Sequence, residues 1–204
     1  MTDRNNKIVI AFLARAGSGK STAAQYLIDR HGAEKVSFAA PLKELAKHLW
    51  GFTDSQVYGD NKESADEVLA ELWDVDNATP RMALQLLGNQ AREIIGKNVW
   101  IDAAMNSIEK AESNLVVIDD CRYLNEVMAI SELPHGHVIK IVSPDRQSNA
   151  DPNHPSEAEV DRAPESLLSA IVSNPQSEGL EAFHRTLSAC LPSIMNTFPG
   201  KLRG

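Results

Sequence analysis

The clearest chemistry in the chain lies near its start, in Ala14-Arg15-Ala16-Gly17-Ser18-Gly19-Lys20-Ser21-Thr22. These residues follow the apolar run Ile8-Val9-Ile10-Ala11-Phe12-Leu13 and precede a segment with helical spacing, so the order is strand, glycine-rich loop, helix. That order suits a polyphosphate. Successive backbone N–H groups can wrap around an anion where Gly17 and Gly19 remove the Cβ atoms that would stand in the way. Ala16, Gly17, Ser18, Gly19, Lys20, Ser21 and Thr22 are therefore the candidate phosphate-binding residues. Lys20 adds a point charge, Ser21 offers a hydroxyl to Mg²⁺, and the helix behind them aims its N-terminal dipole at the anion. The pattern G-x-x-x-x-G-K-[ST] is met except at its first position, where Ala14 stands in place of glycine. A plain glycine-containing turn is the competing reading.

A second group closes the apolar run Leu115-Val116-Val117-Ile118, which ends in Asp119-Asp120. Ligands gather beyond the carboxyl ends of parallel strands, so a carboxylate there is placed to hold Mg²⁺ beside a phosphate loop. The competing reading is a polar strand exit that caps a helix beginning near Tyr123. Arg122, Asn125 and Glu126 extend this polar cluster. A third group, Arg81, Gln85 and Arg92, falls at spacings of four and seven along one side of a helix, with Gly88 between the last two. It is either a ligand-facing stripe or a solvated face. Arg146 lies in a polar stretch, Ser143 to Pro155, long enough for a lid that reaches over a transferring phosphoryl group, or for an exposed arginine. His154 in His154-Pro155-Ser156-Glu157 reads as structural, at the start of a short helix.

The elements that must carry these groups alternate strand and helix. After the loop comes a helix over Ala23 to Arg30, stopped by His31-Gly32, then a short strand over Lys35 to Phe38 and a helix opened by Pro41 and running through Leu49. A turn-rich stretch leads to an acidic amphipathic helix over Glu63 to Leu72, read as a solvated face. Thr79-Pro80 caps and opens a helix to about Ile95 that carries Met82, Leu84, Leu86, Leu87, Ala91 and Ile94. Another helix over Asn98 to Ala111 turns Trp100, Ile101, Ala104 and Ile108 toward a core. The remaining predictions are strands over Leu115 to Ile118, His137 to Val142 and Leu167 to Val172, a turn at Asn174-Pro175, and a closing helix over Gly179 to Leu191.

Composition sets the outer bounds. The 204 residues suit one α/β domain with inserted subdomains. A formal charge of −8 disfavours broad attachment to nucleic acid or anionic membrane, so positive charge must be concentrated locally around any phosphate. Cys121 and Cys190 have no metal-ligand spacing and suggest neither a disulfide framework nor a zinc site, which fits a reducing compartment. With no signal-like N-terminal run and no bilayer-length apolar stretch, a soluble cytoplasmic protein is expected.

Taken together, the landmarks resemble the tailed-phage family of deoxynucleoside monophosphate kinases, within the nucleoside monophosphate kinase group. The resemblance rests on the phosphate loop, Phe38-Ala39-Ala40-Pro41-Leu42-Lys43-Glu44, Thr79-Pro80-Arg81 with Gln85, Gly88 and Arg92, Trp100, Asp120-Cys121-Arg122-Tyr123-Leu124-Asn125-Glu126, and His154-Pro155-Ser156-Glu157. It covers the chain from about residue 8 to 175. It implies a P-loop NTPase fold of three α/β/α layers with a parallel sheet, a core over about 7–38 and 112–195, a helical acceptor-binding insert over about 39–111 and a lid over about 143–157. It further implies transfer of a phosphoryl group from ATP, with Mg²⁺, to a deoxynucleoside monophosphate. Lys20, Arg122 and Arg146 are then expected to be catalytic; Lys43, Arg81, Gln85, Arg92, Trp100 and Asp120 to bind the acceptor; and Ser21, Asp119 and Asp120 to hold the metal. Departures from the family pattern are Ala14 and Asn89, the latter standing where a threonine is expected. The implied partners are small nucleotides, with no stable nucleic-acid or membrane partner and with a homodimer left open. Two rivals remain: a related kinase acting on a modified base within DNA, disfavoured by the acidity and the lack of a basic stripe, and a regulatory module that binds ATP without transferring phosphate.

Overall fold

The computed structural model describes residues 6–145 and 155–196, which fall into two compact units. The first is made of the chain up to Ser37 and from Met105 onward, and the second of Phe38–Ala104.

The first unit is built on a five-stranded, wholly parallel sheet of β1 (Ile8–Leu13), β2 (Glu34–Val36), β3 (Leu115–Cys121), β4 (Gly136–Val142) and β5 (Ala170–Ser173), in the order β2-β3-β1-β4-β5. Every residue of β1 is fully buried. A strand that alternated polar and apolar residues would leave polar groups unpaired there, so the central strand reads as an unbroken apolar run. On one face, Ile8, Ile10 and Phe12 meet Ala23, Ala24 and Leu27 of α1 (Lys20–His31) and Phe183, Leu187, Leu191 and Ile194 of α9 (Gly179–Met195). The other face is covered near β1 and β4 by α7 (Leu124–Ser131), with α8 (Pro155–Arg162) packed against it. The result is a three-layer α/β/α P-loop fold. Among the described residues, no helix is long and apolar enough to cross a membrane.

The second unit is helical: α2 (Ala40–Trp50), α3 (Asp54–Val57), a 3₁₀ turn over Asp60–Glu63, α4 (Glu67–Trp73), α5 (Pro80–Ile94) and the first turns of α6 (Val99–Lys110). It has its own small core of Ala46, Phe52, Val57, Leu69, Ala78 and Ala83, edged by Trp50, Trp73, Leu84 and Leu87. Thr79 caps α5, its hydroxyl accepting from the Met82 N–H at 3.3 Å, with Pro80 as the first helical residue.

Several elements differ from their predicted form. The acidic helix starts at Glu67 instead of Glu63 because Asp66 caps it, accepting from the Leu69 N–H at 3.0 Å. The last strand is shorter than its apolar run, since Pro164 leads into a 3₁₀ turn over Glu165–Leu167. The strand expected over Lys35 to Phe38 covers Glu34–Val36. Met82, Leu86 and Ile94 of α5 are exposed, and the helix buries Pro80, Ala83, Gly88 and Ala91. The reason is close packing: a Cβ on Gly88 would stand 3.3 Å from Leu42 Cδ2 of α2, so small residues form the inward face. Gly88 thus serves helix packing. Finally, β3 runs on through Asp119 and Asp120 to Cys121. Ala11 pairs with Ile118 and Leu13 with Cys121, so Phe12 is opposed by both aspartates in a bulge, a device that re-aims side chains.

Candidate active site

The phosphate loop leaves the carboxyl end of the central strand and enters α1. Gly17 and Gly19 both have left-handed backbones, with φ of +77° and +100°. At Gly19 glycine is doubly required, because a Cβ would also lie 2.5 Å from Asn174 Nδ2. Among the described residues no side chain caps α1, and its first turn carries no acid, an arrangement that suits an anion at the helix N-terminus. Lys20 is 7% exposed and its ammonium donates to the backbone carbonyls of Ala14 at 2.5 Å and Arg15 at 2.9 Å. Neutral carbonyls compensate a buried charge only in part, and a phosphate oxygen would do so better. Ser21 and Thr22 lie on the exposed side of the first turn of α1.

Beside the loop, Thr22, Asn174, Pro175, Gln176, Gly179, Leu180 and Phe183 line a small cavity of about 90 Å³. Its wall is pinned by Asp145, which accepts from the Gln176 N–H at 2.8 Å and the Ser177 N–H at 3.2 Å. Those amides hold the Asp145 carboxyl below its ordinary value. Arg15 of the loop pairs with Asp161 of α8 on the surface.

At the end of β3, Asp119 is 8% exposed and ion-paired to Lys35 at 2.7 Å. Asp120 accepts a hydrogen bond from the Ser37 hydroxyl at 2.5 Å. Neither caps α7. Glu126, itself buried, accepts from the Arg122 N–H at 2.9 Å and the Tyr123 N–H at 3.1 Å, and Glu159 of α8 accepts from the Leu124 N–H at 2.9 Å. Glu126 and Glu159 thus meet N–H groups at the head of α7. Burial pushes the Cys121 thiol well above its ordinary value; Glu126 and Asp120 add to the shift and Lys20 opposes it. These four groups therefore share one electrostatic neighbourhood. A hydroxyl at the head of α1 and carboxylates at the end of β3 are hard oxygen donors of the kind Mg²⁺ takes, usually one or two from protein with the rest from phosphate and water. The donor set fits that ion. Asp119 is buried and ion-paired to Lys35, whereas Asp120 is half-buried and bonded to Ser37.

In the second unit, Arg81 pairs with Glu63, the last residue of the 3₁₀ turn. Lys62 is half-buried, and burial first, then the charge of Arg81, pushes its ammonium below the ordinary value. Two cations thus stand near each other, with the carboxylates of Glu63 and Asp60 close to Lys62. Gln85 is exposed and Arg92 half-buried. The Lys43 ammonium lies 4.4 Å from the centre of the Tyr58 ring, whose hydroxyl donates to Glu44 at 3.0 Å. Burial first, with that bond, pushes the Tyr58 phenol up to about 12. Trp100 is 6% exposed and its indole N–H donates to the Gly88 carbonyl at 3.2 Å. It braces α6 on α5. A larger hollow of about 360 Å³, lined by Ile95, Gly96, Lys97, Asn98, Val99 and Asp102, contains none of the expected site residues. Arg146 and His154 lie outside the described residues.

Sequence reasoning missed Lys35, Lys62, Ser143 and Asn174. Lys35 and Lys62 had no motif to mark them. Asn174 was read as a turn residue, and only its place just past an apolar strand, at the edge where ligands gather, hinted at more.

No protein-family model matches the chain. A protein of Acanthamoeba polyphaga mimivirus named as a deoxynucleotide monophosphate kinase is 34% identical over 198 residues, covering 90% of this chain and 96% of the relative. A deoxynucleoside-5'-monophosphate kinase of Escherichia phage T5 is 23% identical over 216 residues, covering 75% of this chain and 85% of the relative. Among solved structures, the protein TT1252 from Thermus thermophilus superposes with a TM-score of 0.53 at 18% identity, covering 96% of this chain and all of that one, a likeness of fold. With a phosphate loop at the carboxyl edge of a parallel sheet, and a relative of this identity matched over nearly its whole length, the chain belongs to the deoxynucleoside monophosphate kinase family.

Proposed function

We propose that the protein transfers the γ-phosphoryl group of ATP to a deoxynucleoside monophosphate, giving ADP and a deoxynucleoside diphosphate. The observation that carries this reading is Lys20, whose buried ammonium rests on the carbonyls of a glycine-rich loop in a chain of this family. In phosphoryl transfer the protein does little covalent chemistry, so its work is to place two phosphates in line and balance their charge. Lys20 exchanges the Ala14 and Arg15 carbonyls for the β- and γ-phosphates, and the N–H groups of Ala16 to Thr22 cradle them. Ser21 and Asp120 would hold Mg²⁺, with Asp119 beside Asp120 in the chain, and the ion would supply positive charge to the phosphates during transfer. Arg122, directly after β3, and Arg146 serve the transferring group.

The acceptor's phosphate is met by Arg81 and Arg92, with Lys43 and Gln85 beside them and Lys62 as an additional cation. Arg81 leaves Glu63 for the stronger, bidentate acceptor that a phosphate offers. The donor's base is placed toward the small cavity beside the loop, where Pro175, Leu180 and Phe183 give it apolar contacts and Thr22, Asn174 and Gln176 polar ones.

The test is to incubate the protein with ATP and Mg²⁺ and each canonical or modified deoxynucleoside monophosphate in turn, following ADP release and diphosphate formation. Monophosphate-dependent ADP production is expected. ATP binding with no such production would leave the regulatory module as the better reading, and phosphorylation of DNA in place of free nucleotides would favour the other rival.

A further inference from the structure

The carbonyl of Ser18, inside the phosphate loop, is held from outside the loop. Asn174 Nδ2 donates to it at 2.9 Å and the Ser143 hydroxyl lies 3.2 Å from it, with that hydroxyl also 2.9 Å from the Asn174 carbonyl. Asn174 is 6% exposed and its own N–H donates to the Val142 carbonyl at 2.8 Å, so the side chain hangs from a fixed backbone. Its orientation is dictated by chemistry: turned over, it would set an amide oxygen against a carbonyl oxygen. Ser143 and Asn174 each follow directly on a strand, β4 and β5, and so arrive at the carboxyl edge that also carries the loop.

A peptide unit is planar, and in the trans form its C=O and N–H point in opposite directions. Holding the Ser18 carbonyl toward Asn174 therefore turns the Gly19 N–H the other way. Gly19 sits where a Cβ would meet Asn174 Nδ2 at 2.5 Å and Phe183 Cε1 at 3.5 Å, so the asparagine also occupies the space that keeps this peptide from rotating back. We propose that Asn174 is a positioning residue for nucleotide phosphates: by anchoring the Ser18 carbonyl it presents the Gly19 N–H to the donor's phosphate. This deepens the proposed function and rests on the loop's binding a nucleoside polyphosphate.

The experiment measures ADP binding by calorimetry, together with KM for ATP and for the acceptor, in the whole protein and in Asn174→Ala, Asn174→Asp and Ser143→Ala, each checked for folding by thermal melting. Loss of one positioned donor is expected to weaken ADP binding roughly tenfold in Asn174→Ala, with KM for ATP rising and KM for the acceptor little changed. Ser143→Ala is expected to shift in the same direction by less. Asn174→Asp separates positioning from packing. Its carboxylate repels the Ser18 carbonyl at pH 8, whereas the protonated acid can donate to it. Relative to the wild type at each pH, ADP affinity of Asn174→Asp should recover as the pH falls, while that of Asn174→Ala stays level.

Parallel pH profiles for these two variants, or wild-type ADP affinity in Asn174→Ala, would overturn the proposal while leaving the kinase reading standing. Should Asn174→Asp fail to fold, unchanged ADP binding in both Asn174→Ala and Ser143→Ala is enough to overturn it. If the unaltered protein binds no ADP, the reading of the loop falls and the proposal with it.

Discussion

Lys20 shows how a single residue is prepared for its task. It is long enough to reach back over its own loop, it is nearly buried, and its ammonium donates to the Ala14 and Arg15 carbonyls. Replacing it with alanine removes the charge at the loop while leaving the apolar packing of α1 in place, so the fold should persist. The expected outcome for Lys20→Ala is a loss of about a hundredfold or more in turnover with an unchanged melting profile. A variant with near-normal turnover would refute its role. Cys121 makes the opposite case. Its thiol sits beside the site but is fully buried, and burial with the nearby carboxylates favours the protonated form. Only the thiolate is nucleophilic, so Cys121 should resist a thiol reagent at neutral pH until the protein is unfolded. Rapid labelling of Cys121 in the native protein would show that this surrounding has been misjudged.

At the scale of elements, α5 carries Arg81, Gln85 and Arg92 on a helix whose inward face is made of small residues. The periodicity that groups the three polar residues also leaves Met82 and Leu86 outside, because Gly88 and Ala91 allow α2 and α5 to approach closely. Arg81 on the first turn is steered by Glu63, a contact between exposed groups worth little by itself, on the order of 1 kcal/mol or less. Such a weak tie is easily exchanged for a phosphate. Arg81→Ala is expected to raise KM for the monophosphate several-fold while leaving KM for ATP nearly unchanged. Equal weakening toward both substrates would remove Arg81 from the acceptor's side.

Across the whole molecule, the two units differ in what holds them together. The first buries large aliphatic and aromatic side chains on a central strand with no exposed residue. Half of the second unit's core residues are alanines, and Val68, Leu72, Met82, Leu86 and Ile94 remain on its surface. Stabilisation scales with the apolar area removed from water, so the second unit has the smaller reserve against local opening. Hydrogen exchange should therefore be faster across Phe38–Ala104 than in β1 and β3, and nucleotides should slow it. Equal protection in both units would contradict this account.

The fold and its central motif were legible in the chain because both depend on local rules. An unbroken apolar run marks a buried parallel strand, Gly17 and Gly19 followed by Lys20 mark an anion loop, Thr79-Pro80 opens a helix, and each of these is written in consecutive residues. The shortened β5 and the late start of α4 escaped because a proline-led turn and a single capping aspartate outweighed hydrophobic pattern and charge. What only tertiary structure decided are the pairings between residues distant in sequence. Lys35 meets Asp119, Ser37 meets Asp120, Glu159 of α8 accepts from the Leu124 N–H at the head of α7, and Asn174 reaches back 156 positions to Ser18. Such contacts depend on which strands lie side by side and where they end, and a one-dimensional pattern carries no record of that.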